Sequence, residues 1–349
     1  FIRRCFDLAS LGAGSVSPNP LVGAVLVHEN RIIGEGWHRQ YGKAHAEVYA
    51  VENVKPEDRH LLSKSTLYVS LEPCCIHRNT PPCTDLILQL SIPKVVISCL
   101  DHTPEVNGKG VEILRKGGVE VVTGILEAEG KRLSNVRQVF VTQRRPFILL
   151  KFARTRDGFM GNHGEQVWIS NQYSKRFVHK CRAEFDAILV GTRTAEVDNP
   201  QLTNRLWFGK SPLRIVLDRK LRLPIGNHLF CDGGKTWVVT EKEVPQGGEA
   251  GSENLTFLTF SFDENLLPQL LKKLAEHRIS SLIVEGGAAT LQRFIAGGWW
   301  DEAWVFTGNL TLGSGIQTPE IPGFANAETR IGTDVLTFFS NPAASPLNL

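Results

Sequence analysis

Three residues suited to a soft divalent metal, His45, Cys74 and Cys83, lie far apart in the chain, yet each falls where a regular element is expected to begin or end. His45-Ala46-Glu47 opens a helix pattern over Ala44–Val54. Pro73-Cys74 follows a β-rich run, Thr66–Ser70, and Cys83 follows Pro81-Pro82 at the start of a second helix pattern, Thr84–Leu90. One imidazole and two thiolates make three ligands of a tetrahedral zinc with its fourth position open. The strands and helices that carry them alternate along the chain, which points to a layered α/β sheet.

The rest of the first half fits that pattern. Residues 2–13 carry a helical pattern with Ile2, Cys5, Phe6, Ala9 and Leu11 towards one side. Leu21–Val27 and Arg31–Gly36 read as strands joined by a tight turn at Glu29-Asn30, and Lys94–Ser98 and Val119–Thr123 read as two more. The charged, proline-bearing stretch Gln143-Arg144-Arg145-Pro146 marks a domain boundary, giving domains 1–143 and 146–349. At about 150 residues per domain, 349 residues suit two.

Beyond the boundary the alternation restarts. Phe147–Phe152, Ala187–Val190, Leu213–Leu217, Thr236–Val239 and Ser281–Val284 are β-rich, with a weaker strand at Val335–Phe339. Ser170–Arg182 and Glu264–His277 are helical, with Ser170 as the expected cap of the first. Glu241–Asn254 reads as a surface loop.

Composition excludes several classes. A hydrophobic content of 42% with 21% charged residues excludes disorder. The longest apolar run, Leu21–Val27, is far short of the roughly 20 residues that cross a bilayer, so no membrane helix is expected. Net charge is +3, from 39 basic and 36 acidic residues interleaved along the chain. Without a basic stripe, no nucleic-acid partner is expected. Seven cysteines without a disulfide-like spacing favour a reducing compartment, hence the cytoplasm. The opening Phe1-Ile2-Arg3-Arg4 lacks a Met and a following apolar stretch, so it reads as a chain cut back at its N-terminus and not as a signal peptide.

Two thiolates cancel the charge of a zinc ion, so a base must help deprotonate its water. Glu47, two residues from His45, is placed to shuttle protons without ligating. These are the parts of a zinc deaminase, in which activated water attacks an amidine-like ring carbon and a Glu carries protons to the leaving ammonia. A closed structural zinc remains the alternative, with Cys75 or His77 as fourth ligand.

Leu71-Glu72-Pro73-Cys74 and Thr80-Pro81-Pro82-Cys83 enclose eight residues between the cysteines, where ordinary nucleoside, nucleotide and tRNA deaminases have two. With Pro18-Asn19-Pro20-Leu21-Val22-Gly23 upstream, this pattern resembles the bifunctional riboflavin-biosynthesis deaminase/reductase family, over essentially the whole chain. The resemblance implies a cytidine-deaminase-like three-layer α/β/α domain followed by a dihydrofolate-reductase-like α/β domain. It implies deamination of 2,5-diamino-6-ribosylamino-4(3H)-pyrimidinone 5′-phosphate, with Asn19 lining the pocket, and then NADPH-dependent reduction of 5-amino-6-(5-phosphoribosylamino)uracil to the ribitylamino product. A homo-oligomer is also implied. In the loop between the cysteines the chain departs from the family, with Ile76, His77, Arg78 and Asn79 where a His two residues after the first Cys, and a Gly then Lys or Arg before Thr-Pro-Pro-Cys, are usual.

In the second half no Gly-x-Gly-x-x-Gly follows a strand, against an ordinary Rossmann domain. Instead Ser281–Val284 runs into Glu285-Gly286-Gly287-Ala288-Ala289-Thr290 and a helix through Ile295, a turn in which glycines let backbone N–H groups approach a phosphate. A plain strand-to-helix turn would read the same. Context comes from Lys151-Phe152-Ala153-Arg154-Thr155-Arg156-Asp157-Gly158, Trp168, the run Thr194 to Asp198-Asn199-Pro200, and Leu202-Thr203-Asn204-Arg205. The family resemblance implies that Ala153, Trp168, Thr194, Asp198 and Gly286, Gly287, Ala288, Ala289, Thr290 and Leu291 contact NADPH. It implies that Arg182, Leu202, Arg205 and Glu285 face the substrate. Thr155-Arg156 and Gln166 depart from the usual residues, and Arg156 is either solvated or an added phosphate contact.

Overall fold

The computed structural model describes residues 1–77, 80–164, 166–243 and 254–343, and the chain divides at Arg145/Pro146 into two compact units. Arg78, Asn79 and most of the loop expected over Glu241–Asn254 lie outside the described residues.

The first unit contains α1 (Ile2–Ser10), β1 (Gly23–His28), β2 (Arg31–Trp37), α2 (Ala46–Glu52), β3 (Thr66–Leu71), α3 (Cys83–Gln89), β4 (Lys94–Cys99), α4 (Lys109–Lys116), β5 (Glu120–Thr123) and α5 (Glu127–Gln143). Its sheet has the order β2-β1-β3-β4-β5. β1 is antiparallel to β2 and β3, while β3, β4 and β5 run parallel. The hairpin turn holds Glu29 and Asn30 at φ of 46° and 62°, the left-handed pair that a two-residue turn between right-twisted strands requires.

The alternation along β1 creates the layers. Ala24 and Leu26 face Ala46 and Ala50 of α2, Ile87 of α3 and Leu114 of α4. Val25 and Val27 face Cys5 and Leu8 of α1. Gly34 and Gly36 of β2 let α2 lie close, since a Cβ at Gly36 would meet the Ala50 nitrogen at 2.4 Å. The result is a three-layer α/β/α unit.

The second unit contains β6 (Phe147–Arg154), α6 (Gln172–Glu184), β7 (Ala187–Gly191), α7 (Thr192–Asp198), β8 (Leu213–Leu217), α8 (His228–Cys231), β9 (Thr236–Thr240), β10 (Leu255–Thr259), α9 (Leu266–Glu276), β11 (Ser281–Val284), α10 (Ala288–Ala296), β12 (Glu302–Thr307), β13 (Ala325–Ile331) and β14 (Asp334–Ser340). The nine strands are ordered β10-β9-β8-β7-β11-β6-β12-β14-β13, parallel from β10 to β12 and antiparallel thereafter. Ile148, Leu150, Leu189, Ile215 and Val284 pack against α9 and α10 through Leu270, Leu274, Leu291 and Phe294. Val178 of α6 packs on Phe306 and Leu336.

One expectation is corrected here. The cap of α6 is Asn171, not Ser170, because the Asn171 side-chain oxygen accepts the N–H groups of Tyr173 and Ser174 at 2.8 and 3.0 Å. Asn171 also donates to the Ile331 carbonyl, a tertiary tie that Ser170 lacks the reach to make.

Candidate active sites

In the first unit, His45 sits at the N-cap of α2 with an extended backbone, Cys74 follows the end of β3, and Cys83 is the first residue of α3 behind the cap Pro82. His45 Nδ1 lies 3.4 Å from the sulfur of Cys74 and 3.4 Å from that of Cys83. All three donor atoms fall within 4.8 Å of one another. The Cys83 N–H donates to Cys74 Sγ, the stabilisation a thiolate takes from a helix start.

A hydrogen bond from Cys83 and a further one from His45 hold the Cys74 thiol down at about 4, against burial, while the contact with Cys74 and burial push Cys83 well above its ordinary value. Two sulfurs and an imidazole nitrogen within 4.8 Å of one another form a donor set suited to a zinc ion. Cys75 and His77, the alternative fourth ligands, point away. Cys75 Sγ faces the Glu105 carbonyl, and His77 is an exposed side chain 3.8 Å from Asp85. Among the described residues the cluster therefore has three protein donors.

Glu47, in the first turn of α2, is only 3% exposed, and burial pushes its carboxyl up while His45 opposes the shift. Asn19 is linked to the cluster through His38, whose ring lies 5.4 Å from that of His45. Its Nδ2 lies 3.1 Å from His38 Nε2, and His38 Nδ1 lies 2.9 Å from the Ala44 carbonyl. A carbonyl only accepts, so His38 carries its proton on Nδ1 and accepts from Asn19, leaving Asn19 Oδ1 for another donor. Glu72 accepts four backbone N–H groups, from Asp101, Gly108, Gly110 and Val111, which ties the segment after β4 to the strand end bearing Cys74. His38 carries no signal in the sequence, and Glu72 shows there only as part of the Leu71–Cys74 motif.

In the second unit a cavity of about 1050 Å³ opens at the carboxyl ends of the parallel strands. Lys151 and Ala153 of β6, Gly191 of β7, Leu217 of β8 and Glu285 after β11 line it. In the order β7-β11-β6 the late strand β11 separates two strands consecutive in sequence, and open α/β sheets bind ligands at such reversals. Ala153, Trp168, Thr194, Asp198, Arg182, Leu202, Arg205, Glu285, Gly287, Ala288, Ala289 and Thr290 all reach the wall, as does Gln166.

Two anticipated contacts, Leu291 and Gly286, lie outside the wall, and Arg156 takes the solvated of its two readings. Leu291 is fully buried in the apolar core and its N–H is bonded to the Gly287 carbonyl, so its side chain meets no ligand. Gly286 lies beneath the wall, packed so closely on β7 that a Cβ would stand 2.8 Å from Val190 Cα. Arg156 is exposed and outside the wall, its N–H bonded to the Leu310 carbonyl.

Glu285 is the electrostatic centre of this cavity. Burial raises its carboxyl, but Arg182 and Lys151 overcome that and hold it at about 2. Arg182 grips both its oxygens, at 3.0 and 2.8 Å, and Lys151 Nζ stands 3.8 Å away. Trp168 is 67% exposed on the wall, its ring 4.5 Å from the Lys175 ammonium. Over the end of β8, Arg193, Arg219 and Arg222 line the cavity, and among the described residues they pair with two carboxylates, Glu196 and Glu241. The size of the cavity, the close-packed glycine turn at the start of α10 and this cationic rim fit a phosphorylated dinucleotide.

A three-donor cluster in an α/β/α unit, followed by a dinucleotide-sized cavity in a separate parallel-sheet unit, defines a two-domain zinc deaminase and reductase. Residues 1–99 match the cytidine and deoxycytidylate deaminase zinc-binding region, and residues 146–333 match the RibD C-terminal domain. The chain is 37% identical to the riboflavin biosynthesis protein RibD of Aquifex aeolicus over 97% of both chains. It is 35% identical to RibD of Bacillus amyloliquefaciens, covering 93% of this chain and 87% of that one. A diaminohydroxyphosphoribosylaminopyrimidine deaminase/5-amino-6-(5-phosphoribosylamino)uracil reductase of known structure, from Thermotoga maritima, superposes with a TM-score of 0.88 at 35% identity, covering 98% of this chain and 97% of that one. The chain belongs to the RibD family of bifunctional riboflavin-biosynthesis enzymes. Its cofactors are zinc in the deaminase unit and NADPH in the reductase unit. No helix among the described residues is long and apolar enough to cross a membrane.

Proposed function

We propose that the first unit deaminates 2,5-diamino-6-ribosylamino-4(3H)-pyrimidinone 5′-phosphate, and that the second reduces the resulting 5-amino-6-(5-phosphoribosylamino)uracil to the ribitylamino product. The observation that carries this reading is the convergence of His45, Cys74 and Cys83 beside the buried carboxyl of Glu47. The Thermotoga maritima protein is named for both steps, which supports the choice of substrates.

In this reading His45, Cys74 and Cys83 hold the zinc. Zinc, when bound, supplies the Lewis acidity that makes water nucleophilic near neutral pH. Glu47 would carry a proton between the attacking water and the departing amine, a task suited to a carboxyl whose proton affinity burial has raised. Asn19, its amide fixed by His38, offers Oδ1 to an N–H group of the pyrimidine.

In the second unit Ala153, Trp168, Thr194, Asp198 and the turn Gly287–Thr290 contact the nicotinamide cofactor, and Arg193, Arg219 and Arg222 receive the 2′-phosphate of its adenosine end. NADPH, when bound, supplies the hydride that reduces C1′ of the ring-opened sugar. Leu202 and Glu285 face the ribosyl group, with Arg182 and Lys151 keeping Glu285 ionised to accept sugar hydroxyls. Arg205, whose guanidinium meets no carboxylate within 4 Å among the described residues, takes the substrate phosphate. The seven cysteines, free in this structure, support a cytoplasmic enzyme. The family resemblance supports a homo-oligomer, which light scattering would test.

The decisive experiment follows ammonia release and NADPH oxidation together in zinc-loaded enzyme given the diamino-pyrimidinone. Both signals are expected. Glu47→Gln should keep its zinc and lose both, and the deaminated uracil should restore NADPH oxidation to that variant. Ammonia release that survives in Glu47→Gln, or neither signal in the zinc-loaded wild type, would overturn the reading.

A further inference from the structure

Lys175, Val178, His179 and Arg182 occupy one face of α6, at the spacing of successive helical turns, and all four line the reductase cavity. Three are a core residue and two ready cations; His179 is a buried imidazole, 2% exposed, at a position where the proposed reaction needs no histidine.

The main-chain N–H of Arg205 donates to His179 Nδ1 at 3.0 Å. That contact defines the ring, because an accepting Nδ1 leaves the proton of a neutral imidazole on Nε2. The surroundings agree. Burial first, then the cations of Arg182 and Arg205, keep the ring neutral by lowering it to about 4, with Lys175 acting in the same direction and Glu285 against it.

The segment that His179 holds needs anchoring. It begins with Leu202, a buried non-glycine residue at a φ of 52°, a left-handed conformation that L side chains adopt at a cost. Two of its ties come from α6: His179 accepts from the Arg205 N–H, and Arg182 Nη1 donates to the Thr203 carbonyl at 3.3 Å. A third is internal, from Arg205 Nη1 to Thr203 Oγ1 at 2.7 Å. Asn204 fixes the far side of the segment, its N–H bonded to Ser211 Oγ at 3.0 Å and its side chain to the 207–209 turn. On the α6 side His179 supplies the contact made to the Arg205 main chain itself.

We propose that His179 is a positioning residue of the reductase, whose Nδ1 fixes the Arg205 main chain and thereby sets where the Arg205 guanidinium meets the phosphate of the substrate. The inference rests on the assignment of Arg205 to that phosphate.

Two substitutions separate this role from simple packing. The oxygen of an asparagine can occupy the place of Nδ1, whereas that of a glutamine reaches the place of Nε2. His179→Asn should keep KM for the deaminated uracil within about twofold. His179→Gln should raise it about tenfold, equivalent to about 1.4 kcal/mol, with kcat within about threefold. Inhibition by ribose 5-phosphate should weaken by the same factor in His179→Gln, inhibition by unphosphorylated ribose should not change, and the Kd for NADPH should hold in both variants.

Equal KM values for His179→Gln and wild type would overturn the proposal, as would equal impairment of both variants. Loss of NADPH binding in both would show a packing role and overturn it too. Failure of the wild type to bind ribose 5-phosphate while it still binds NADPH would refute the underlying assignment of Arg205, a result distinguishable from all of these. A measurement on the unmodified protein is independent of any variant: the side-chain 15N resonances of His179 should report a neutral ring protonated on Nε2 at pH 5, and a ring protonated on Nδ1 or on both nitrogens would overturn the proposal.

Discussion

Replacing Arg182 with alanine strips the buried Glu285 carboxylate of both charge-assisted hydrogen bonds and leaves Lys151, at 3.8 Å, as its ion-pair partner among the described residues. The magnitude can be worked two ways. Holding the Glu285 carboxyl at about 2, against an ordinary 4.5, corresponds to about 3 kcal/mol of interaction favouring its charged form in the folded protein. Removing one partner of a buried pair typically costs about 3–5 kcal/mol, because a charge is left stranded. Taking about 3 kcal/mol, a unit of about 200 residues should lose about 6–12 °C in Tm. Tryptophan fluorescence suits the measurement, since every tryptophan except Trp37 lies beyond Pro146. The double variant Arg182→Ala/Glu285→Ala should recover much of the loss, because it removes the stranded charge as well. The pH dependence has a definite sign. The folded carboxyl titrates below the unfolded one, so the contribution of the pair is fully present above about pH 4.5 and is lost as pH falls towards about 2. The gap between wild type and Arg182→Ala should narrow over that interval. A Tm within about 2 °C of wild type at pH 7 for the single variant, or additive losses in the double variant, would refute the account of Glu285 as a buried charge held by Arg182.

Other expectations follow from the same contacts. Cys83→Ala should abolish stoichiometric zinc, measured by metal analysis, and with it ammonia release, while NADPH oxidation with the deaminated uracil persists. Arg219→Ala combined with Arg222→Ala should weaken NADPH at least tenfold in calorimetric titration and leave NADH nearly unaffected, because only the former carries the 2′-phosphate. Gly286→Ala forces a Cβ against Val190, and overpacking of about 1–3 kcal/mol should appear as a lower Tm and a weaker NADPH complex. Asn171→Ala removes the cap of α6 and should cost about 1 kcal/mol in denaturant titration.

The zinc cluster was legible before any coordinates because its chemistry is carried by residue types placed at element boundaries. His45 caps α2 and Cys83 begins α3, and such boundaries leave marks in proline and capping positions. Most buried strands were equally legible, since β1 and β6 to β9 must be apolar where they pack on helices; β12 was not, although it buries Ala303, Val305 and Phe306, because its short run alternates with Glu302, Trp304 and Thr307. Elements without that signature escaped. The long helix α5 buries only Gly130, Ser134 and Val139, so its apolar period is faint. β13 is a sheet edge exposed on nearly every residue, and its sequence shows no alternation to read.

What the sequence determined by itself was the inventory: three metal donors, an adjacent carboxyl, a glycine turn after a strand, and scattered arginines. Tertiary structure decided which of these meet. It put Leu291 in the core and Arg156 outside the cavity wall, although both lie in runs that otherwise reach the site. It also recruited His38, Glu72 and His179, polar residues whose partners are 19, 29 to 39, and 26 positions away. A hydrogen bond between distant segments leaves no periodicity in either one, because its geometry is set by how sheets and helices pack rather than by neighbours along the chain. Metal donors and apolar faces act through residue type, and so can be read in one dimension; a positioning contact acts through distance and direction, and exists only in three.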